Sequence, residues 1–196
     1  MDNMAAAAAV GKDLGISGKT IEEALRGFKG MPGRMEFITR GPFTVVVDYA
    51  HTPDSLRAVY DSLKEELKVR HRQGAKLLCV LGSAGGGRDK WKRSEMGKIA
   101  SESCDEIFLT DEDPYDEDPH LIISAIKSGI YGRISPDLVH DILDRREAIR
   151  RAVFSMREDD MAVITGKGSE EWIHVKRGRK IPWSDRRVVE NVLKER

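Results

Sequence analysis

The chain has 196 residues, enough for one full domain or for one domain plus part of another. Hydrophobic residues make up 40 % and charged residues 34 %, the composition of a globular protein with a real core, and 33 basic against 33 acidic residues leave a formal charge of zero. That balance gives no ground for a nucleic-acid or membrane partner, and the apolar run Met4 to Val10 is far short of the roughly 20 residues that span a bilayer and lacks the basic flank of a signal peptide.

Residues 1–12 are alanine-rich and predict a helix, with Asp2 or Asn3 as cap and Gly15 as stop. An apolar helix with no strand before it suggests the tail of a preceding domain. Gly15-Ile-Ser-Gly-Lys-Thr20 spells the end of a phosphate-binding loop. Such a loop needs a buried strand feeding its glycines; here a helix precedes it, and Asp13 stands where glycine is required. A helix–turn–helix link is expected instead, with Ser17 or Thr20 capping a helix over residues 21–28. Residues 29–33, with Pro32, read as a linker.

A short polar turn is expected after Glu36, and then Phe43 to Asp48 reads as a buried strand, with three valines between Gly41-Pro42 and Pro53. Thr52 as N-cap and Pro53 at the first position open a helix striped by Leu56, Val59, Tyr60, Leu63 and Leu67. Leu77 to Leu81 is a second buried strand, running into Gly82 to Lys90. A helix over 91–101 and a strand over 106–110 follow, and the exit of that strand, Asp111 to Pro119, is acidic. Further helices are expected over 121–130 and 145–156, a short strand over 138–140, and a strand over 161–165 that ends in Gly166-Lys-Gly-Ser-Glu170. Residues 172–175 and 180–183 form a hairpin turned at Arg177-Gly178, and Ser184 caps a last helix over 185–194. Cys79 and Cys104 fall in apolar contexts and are expected to be reduced core thiols, which fits a cytoplasmic setting.

This alternation predicts an α/β fold: a Rossmann-like, mostly parallel sheet with helices on both faces, a C-terminal β-hairpin and a short helical N-terminal extension. Four strands run into polar or glycine-rich loops, which such a sheet gathers at one edge, where ligands bind. At that edge Asp48 can accept hydrogen bonds from ribose hydroxyls, and His51 can meet a base or a phosphate; capping the helix at Pro53 is an equal alternative. Gly82 to Lys90, followed by Lys92 and Arg93, offers backbone donors and cations to an anion, with Arg88 foremost. The run Asp111 to Asp118 carries six carboxylates in eight residues, most of them expected in solvent, with one or two free to hold an ammonium group. No spacing calls for a metal, and no serine has the partners of a hydrolase triad.

Gly33-Arg-Met-Glu36, Asp48-Tyr-Ala-His-Thr-Pro-Asp54, Gly-Gly-Arg88-Asp-Lys90, the Asp-Pro loop at 111–119, Gly166-Lys-Gly168 and Ser184-Asp-Arg186 occur in this order in the Mur ligases, which the chain resembles along its whole length. The likeness is closest to the branch that adds the third residue of the peptidoglycan stem peptide. It implies that residues 1–29 are the helical tail of the central, ATP-binding domain and residues 30–196 the C-terminal, amino-acid-binding domain. Those enzymes use ATP and Mg²⁺ to turn a carboxylate of a UDP-N-acetylmuramoyl-peptide into an acyl phosphate, which the amine of the incoming amino acid attacks. By resemblance Asn3 contacts the adenine, Arg34 and Asp48 contact ATP with Asp48 on the ribose, and His51 lies close by. Arg88 binds the carboxylate of the incoming amino acid, together with Asp113, Tyr115, Gly166 and Glu170.

The phosphate-binding loop, the carbamylated lysine, the magnesium ligands and the UDP-sugar domain of the family have no counterpart in these residues, so no catalytic residue is assigned here and the chain alone is expected to be inactive. A cytoplasmic monomer is expected. Members that add meso-diaminopimelate carry an arginine where this chain has Tyr115, and Asp113 is expected to repel a second carboxylate, which favours L-lysine. A folylpolyglutamate or cyanophycin synthetase-like ligase domain is the alternative enzyme, and a stand-alone nucleotide- or amino-acid-binding module the alternative without catalysis.

Overall fold

The computed structural model describes residues 2–70, 74–87, 89–132 and 134–196. The chain divides into two compact units, Met1–Met31 and Pro32–Arg196. In the first, α1 (Asp2–Asp13) and α2 (Gly18–Gly27) are joined by a turn in which Gly15 takes a φ of +77°. Ser17 caps α2, its hydroxyl accepting from the Thr20 N–H at 3.2 Å. α2 thus begins at Gly18, three residues before the expected start, and Gly18, Lys19 and Thr20 form the first turn of a helix that, as expected, no strand feeds.

The second unit is built on a six-stranded sheet in the order β1-β2-β6-β3-β4-β5. Its strands are β1 (Glu36–Arg40), β2 (Thr44–Val47), β3 (Leu77–Leu81), β4 (Glu106–Leu109), β5 (Val139–Asp141) and β6 (Met161–Ile164). All neighbours are parallel except β1, which pairs antiparallel with β2 and carries a register shift between Phe37 and Thr39. The expected polar turn after Glu36 is thus a strand. Its apolar pair Phe37 and Ile38 packs on opposite faces of the sheet, and the pattern is too short, between charged ends, to be read as one.

Alternate side chains of the central strands feed two cores. Val46, Leu77, Leu81, Ile107, Leu109 and Val163 meet α3 (Pro53–Arg70), α4 (Trp91–Ser103) and α5 (Pro119–Lys127) on one face. Val45, Val47, Val80, Phe108 and Ile164 meet α6 (Arg145–Ser155) and α7 (Asp185–Glu195) on the other. Each strand shows side chains to both faces, so the central strands read as unbroken apolar runs rather than alternating ones. A separate hairpin of β7 (Trp172–Val175) and β8 (Arg179–Pro182) precedes α7.

The cysteines depart from expectation. Cys79 on β3 and Cys104 after α4 are joined in a disulfide, with Cα atoms 6.0 Å apart. Both are apolar-packed, as read, but the fold brings them within bridging distance, and the thiol argument for a reducing compartment falls away. No described helix is long and apolar enough to cross a membrane.

The chain order of this sheet creates a crevice. β3 leaves towards α4 on one face, whereas its neighbour β6 leaves towards the hairpin and α7 on the other. Loops that part in this way open a gap at the carboxyl ends of the strands.

Candidate functional site

A cavity of about 250 Å³ occupies this gap. Its walls come from the exits of four strands: Tyr49 and His51 after β2, Gly85 and Asp89 after β3, Glu112, Asp113 and Tyr115 after β4, and Gly166 and Glu170 after β6. Lys92, from the first turn of α4, completes it.

Lys167 sits beneath the cavity with its side chain fully buried. Its ammonium donates to both oxygens of Asp113 at 2.9 Å and to Glu170 Oε2 at 2.5 Å. Burial works to lower the pKa of this lysine, but the bonds to Glu170 and Asp113 outweigh it and hold the group above its ordinary value. Asp113 also accepts from the His174 N–H at 2.8 Å, and the Tyr115 N–H donates to the His174 carbonyl at 3.1 Å. The β7–β8 hairpin therefore braces the acidic loop and holds Tyr115 at a φ of +50°, a backbone setting that side-chain residues rarely take.

Asp113 thus spends its charge on Lys167, and the expected repulsion of a ligand carboxylate does not follow from it. The acidic run as a whole is less solvated than its composition implies. Glu112 and Asp113 are buried, Glu117 holds Arg93 at 2.9 Å, and Asp118 caps α5. Arg93 is itself only 3 % exposed and also donates to the Ala84 carbonyl, so both its terminal nitrogens are already engaged, while its Nε is buried without a partner among the described residues. Arg88, the leading candidate for that task, lies outside the described residues.

Glu112 is 5 % exposed, and its Oε2 has no hydrogen-bond partner among the described residues. Burial pushes its pKa up to about 7, against the pull of Arg145, Lys167 and Lys92 and with a smaller push from Asp113. A Cβ at Gly166 would come within 2.3 Å of Oε2, so this glycine, at a φ of +108°, makes room for the carboxylate. Neither Glu112 nor Lys167 is among the sequence-derived site residues, although both lie in runs singled out there. Their burial follows from which loops converge, which no local pattern encodes.

The loop after β2 is organised by Asp48. One carboxylate oxygen accepts from the Met35 N–H and the other from the Ala50 N–H, each at 2.7 Å. Asp48 is 6 % exposed and does not cap α3; Thr52 does, accepting from the Ser55 N–H at 3.3 Å. Arg34 is exposed, with its guanidinium 4.0 Å above the ring of Tyr49, whose hydroxyl donates to Glu170 Oε1 at 3.1 Å. His51 bonds the Tyr49 carbonyl through Nδ1 and packs edge-on against the Tyr49 ring. Tyr49 so links Arg34 and His51 to the cavity. Gly33 and Gly168 lie back to back: a Cβ on Gly33 would fall 2.1 Å from the Ser169 nitrogen, and one on Gly168 2.7 Å from Tyr49 Cβ. Asn3 lies exposed on α1, in the other unit.

Behind the cavity, Arg145 on α6 makes a bidentate pair with Asp185 on α7, at 2.8 and 2.7 Å. The same guanidinium donates to the carbonyls of Asp111 and Thr165, which fixes the spacing of the β4 and β6 exits.

The sequence-derived residues thus divide. The cavity brings together His51, Asp113, Tyr115, Gly166 and Glu170, while Arg34 and Asp48 stand behind Tyr49. Among the described residues no group of three or more His, Cys, Asp and Glu side chains is arranged to hold a metal ion.

Comparison with known proteins agrees with this architecture. The profile of the Mur ligase, glutamate ligase domain family matches residues 33–168. The UDP-N-acetylmuramoyl-L-alanyl-D-glutamate–2,6-diaminopimelate ligase of Aquifex aeolicus is 41 % identical over 191 residues, covering 97 % of this chain and 37 % of the relative. The ligase of the same name from Nitrosomonas europaea is 43 % identical over 178 residues, covering 87 % and 33 %. A solved structure of a ligase of that name superposes with a TM-score of 0.72 at 32 % identity, over 96 % of this chain and 37 % of its own. The bifunctional folylpolyglutamate synthase/dihydrofolate synthase of Yersinia pestis shares the fold alone, with a TM-score of 0.56 at 18 % identity over 77 % of this chain and 32 % of its own. The chain spans about a third of the length of the first relatives it matches. The family match covers more than half of the chain, and the chain belongs to the Mur ligases through their glutamate ligase domain.

Proposed function

We propose that the chain is the amino-acid-binding part of an ATP-dependent ligase that joins a diamino acid to a UDP-N-acetylmuramoyl-dipeptide. The observation that carries this reading is the strand-end cavity, in which acids, a buried lysine and Gly166 converge within a chain 41 % identical to a ligase of that class. Residues 1–29 then belong to the tail of the central domain, and residues 30–196 form the domain that carries the incoming amino acid.

In this reading Arg34, Asp48 and His51 hold ATP, with Asn3 at the adenine. They suit the task in kind. Arg34 presents an exposed guanidinium, His51 keeps Nε2 free of its bond to Tyr49, and each oxygen of Asp48 has a lone pair beyond the one that Met35 or Ala50 uses. ATP, when bound, supplies the phosphoryl group that activates the acceptor carboxylate, and Mg²⁺ is held by residues outside this chain. Arg88 takes the carboxylate of the incoming amino acid, while Asp113, Tyr115, Gly166 and Glu170 shape the rest of its pocket. The enzyme works as a cytoplasmic monomer.

The test is phosphate release by the polypeptide that carries this chain, given ATP, Mg²⁺, UDP-N-acetylmuramoyl-dipeptide and a panel of amino acids. Release is expected only with the dipeptide and a diamino acid together. Tyr115 in place of the family's arginine favours L-lysine over meso-diaminopimelate, and the panel ranks the two. Release that ignores the amino acid added would refute the assignment.

A further inference from the structure

Glu112 has no task in that reading, yet among the described residues it is the buried acid with an open valence. Asp113 is satisfied by Lys167 and the His174 N–H, and Glu170 by Lys167 and Tyr49. Among the described residues, the charged groups that act on Glu112 are Asp113 on its own loop, Arg145 on α6, Lys167 after β6 and Lys92 on α4, and Asp111 beside it accepts from its N–H. Arg145 is committed to Asp185 and Lys167 to its own two acids, and none of the five donates to Oε2. Native proteins rarely bury a carboxylate oxygen without a donor, and one at a cavity wall is placed to accept from a water or from a ligand. Gly166 leaves space for this one, and both residues line the cavity.

We propose that Glu112 is the counter-ion for the side-chain ammonium of the incoming amino acid, and that binding this ammonium drives a proton from the carboxyl. The proposal rests on the amino-acid-binding reading of the cavity and names the residue that reads the second amino group. An ammonium N–H supplies the donor that Oε2 lacks. The contact also favours the ionised carboxylate, against the burial that pushes its pKa up to about 7. The proton passes to buffer, so the step is R–NH₃⁺ plus Glu–COOH giving the R–NH₃⁺/Glu–COO⁻ pair and a buffered proton.

Calorimetric titration of the chain at pH 7 with L-lysine and with L-norleucine, which lacks the side-chain amine, tests this. Lysine is expected to bind at least about tenfold more tightly than norleucine, as a charge-assisted contact in a buried site should give. The heat of lysine binding should shift between two buffers of different ionisation enthalpy by the amount that proton release predicts, and that of norleucine should not. Glu112→Gln keeps the shape, and should bring the two ligands within about threefold of one another and remove the buffer dependence. Glu112→Asp should keep the preference and the proton release at lower affinity. Equal binding of lysine and norleucine to the wild type, a heat independent of buffer, or no lysine binding overturns the proposal without recourse to any variant, as does a preference that survives in Glu112→Gln. The titration needs neither ATP nor acceptor peptide, so a failure of the ligase assay leaves this result to stand by itself.

Discussion

Burial sorts the acids between Asp111 and Asp118 into different trades, and Glu112 shows what that does to stability. Its carboxyl ordinarily titrates at 4.5 and in the fold at about 7. The folded state keeps the proton longer than the unfolded state does. The contribution of this group to stability is therefore full below 4.5 and is lost as pH rises through 7. Glu112→Gln, which cannot ionise, should gain on the wild type between pH 4.5 and 8, by about 3 kcal/mol at the upper end. Urea unfolding at a series of pH values measures the difference, and parallel curves for the two proteins would contradict it. The sequence displays the six acids plainly, but the depth of each depends on α4, on Gly166 and on the hairpin, which lie far from the run. Lys167 was hidden for the same reason: between two glycines it reads as an exposed turn residue, and only the convergence of three loops buries it.

At the scale of elements, the contact of α4 with the segment after it turns on glycine. Gly97 lies inside α4, where glycine costs about 1 kcal/mol relative to alanine. A Cβ there would sit 1.9 Å from the carbonyl oxygen of Ile126 at the end of α5, and one on Gly129 would sit 1.7 Å from the carbonyl of Ser94. Gly97→Ala should therefore destabilise in spite of its better helix propensity, by about 1–3 kcal/mol, because backbone has to move to admit it. A rise in the urea midpoint would show that the helices can separate at little cost. The elements themselves were largely legible, because two-sided burial writes β2, β3, β4 and β6 as apolar runs and the caps Ser17, Thr52 and Ser184 stand where helices begin. β1 was not legible: it is an edge strand whose faces are settled by pairing with β2. The disulfide was equally out of reach, since a sequence separation of 25 between its cysteines says nothing of a 6.0 Å approach across β3 and α4.

Taken as one molecule, the chain places its chemistry where its topology allows it. β6 enters last and inserts between β2 and β3, so the crevice does not exist until the end of the chain has been placed. That the four polar loops share one edge could be inferred from strand and helix order alone. Which pair of strands parts could not, because strand order within a sheet is a matter of long-range pairing. Lys167 then has a consequence for how a ligand arrives. Its ammonium cancels charge on the acids around it, and the chain as a whole has a formal charge of zero. With little net charge left around the cavity to act on it, even an amino acid with one net positive charge, such as lysine, should meet the mouth of the crevice largely by undirected diffusion. Its association rate should vary by no more than about twofold between low and high ionic strength, whereas a steered encounter slows steeply. Stopped-flow mixing across a salt series measures this. Selection here happens after arrival, within contact distance, and salt should weaken the choice of ligand no more than it slows the approach.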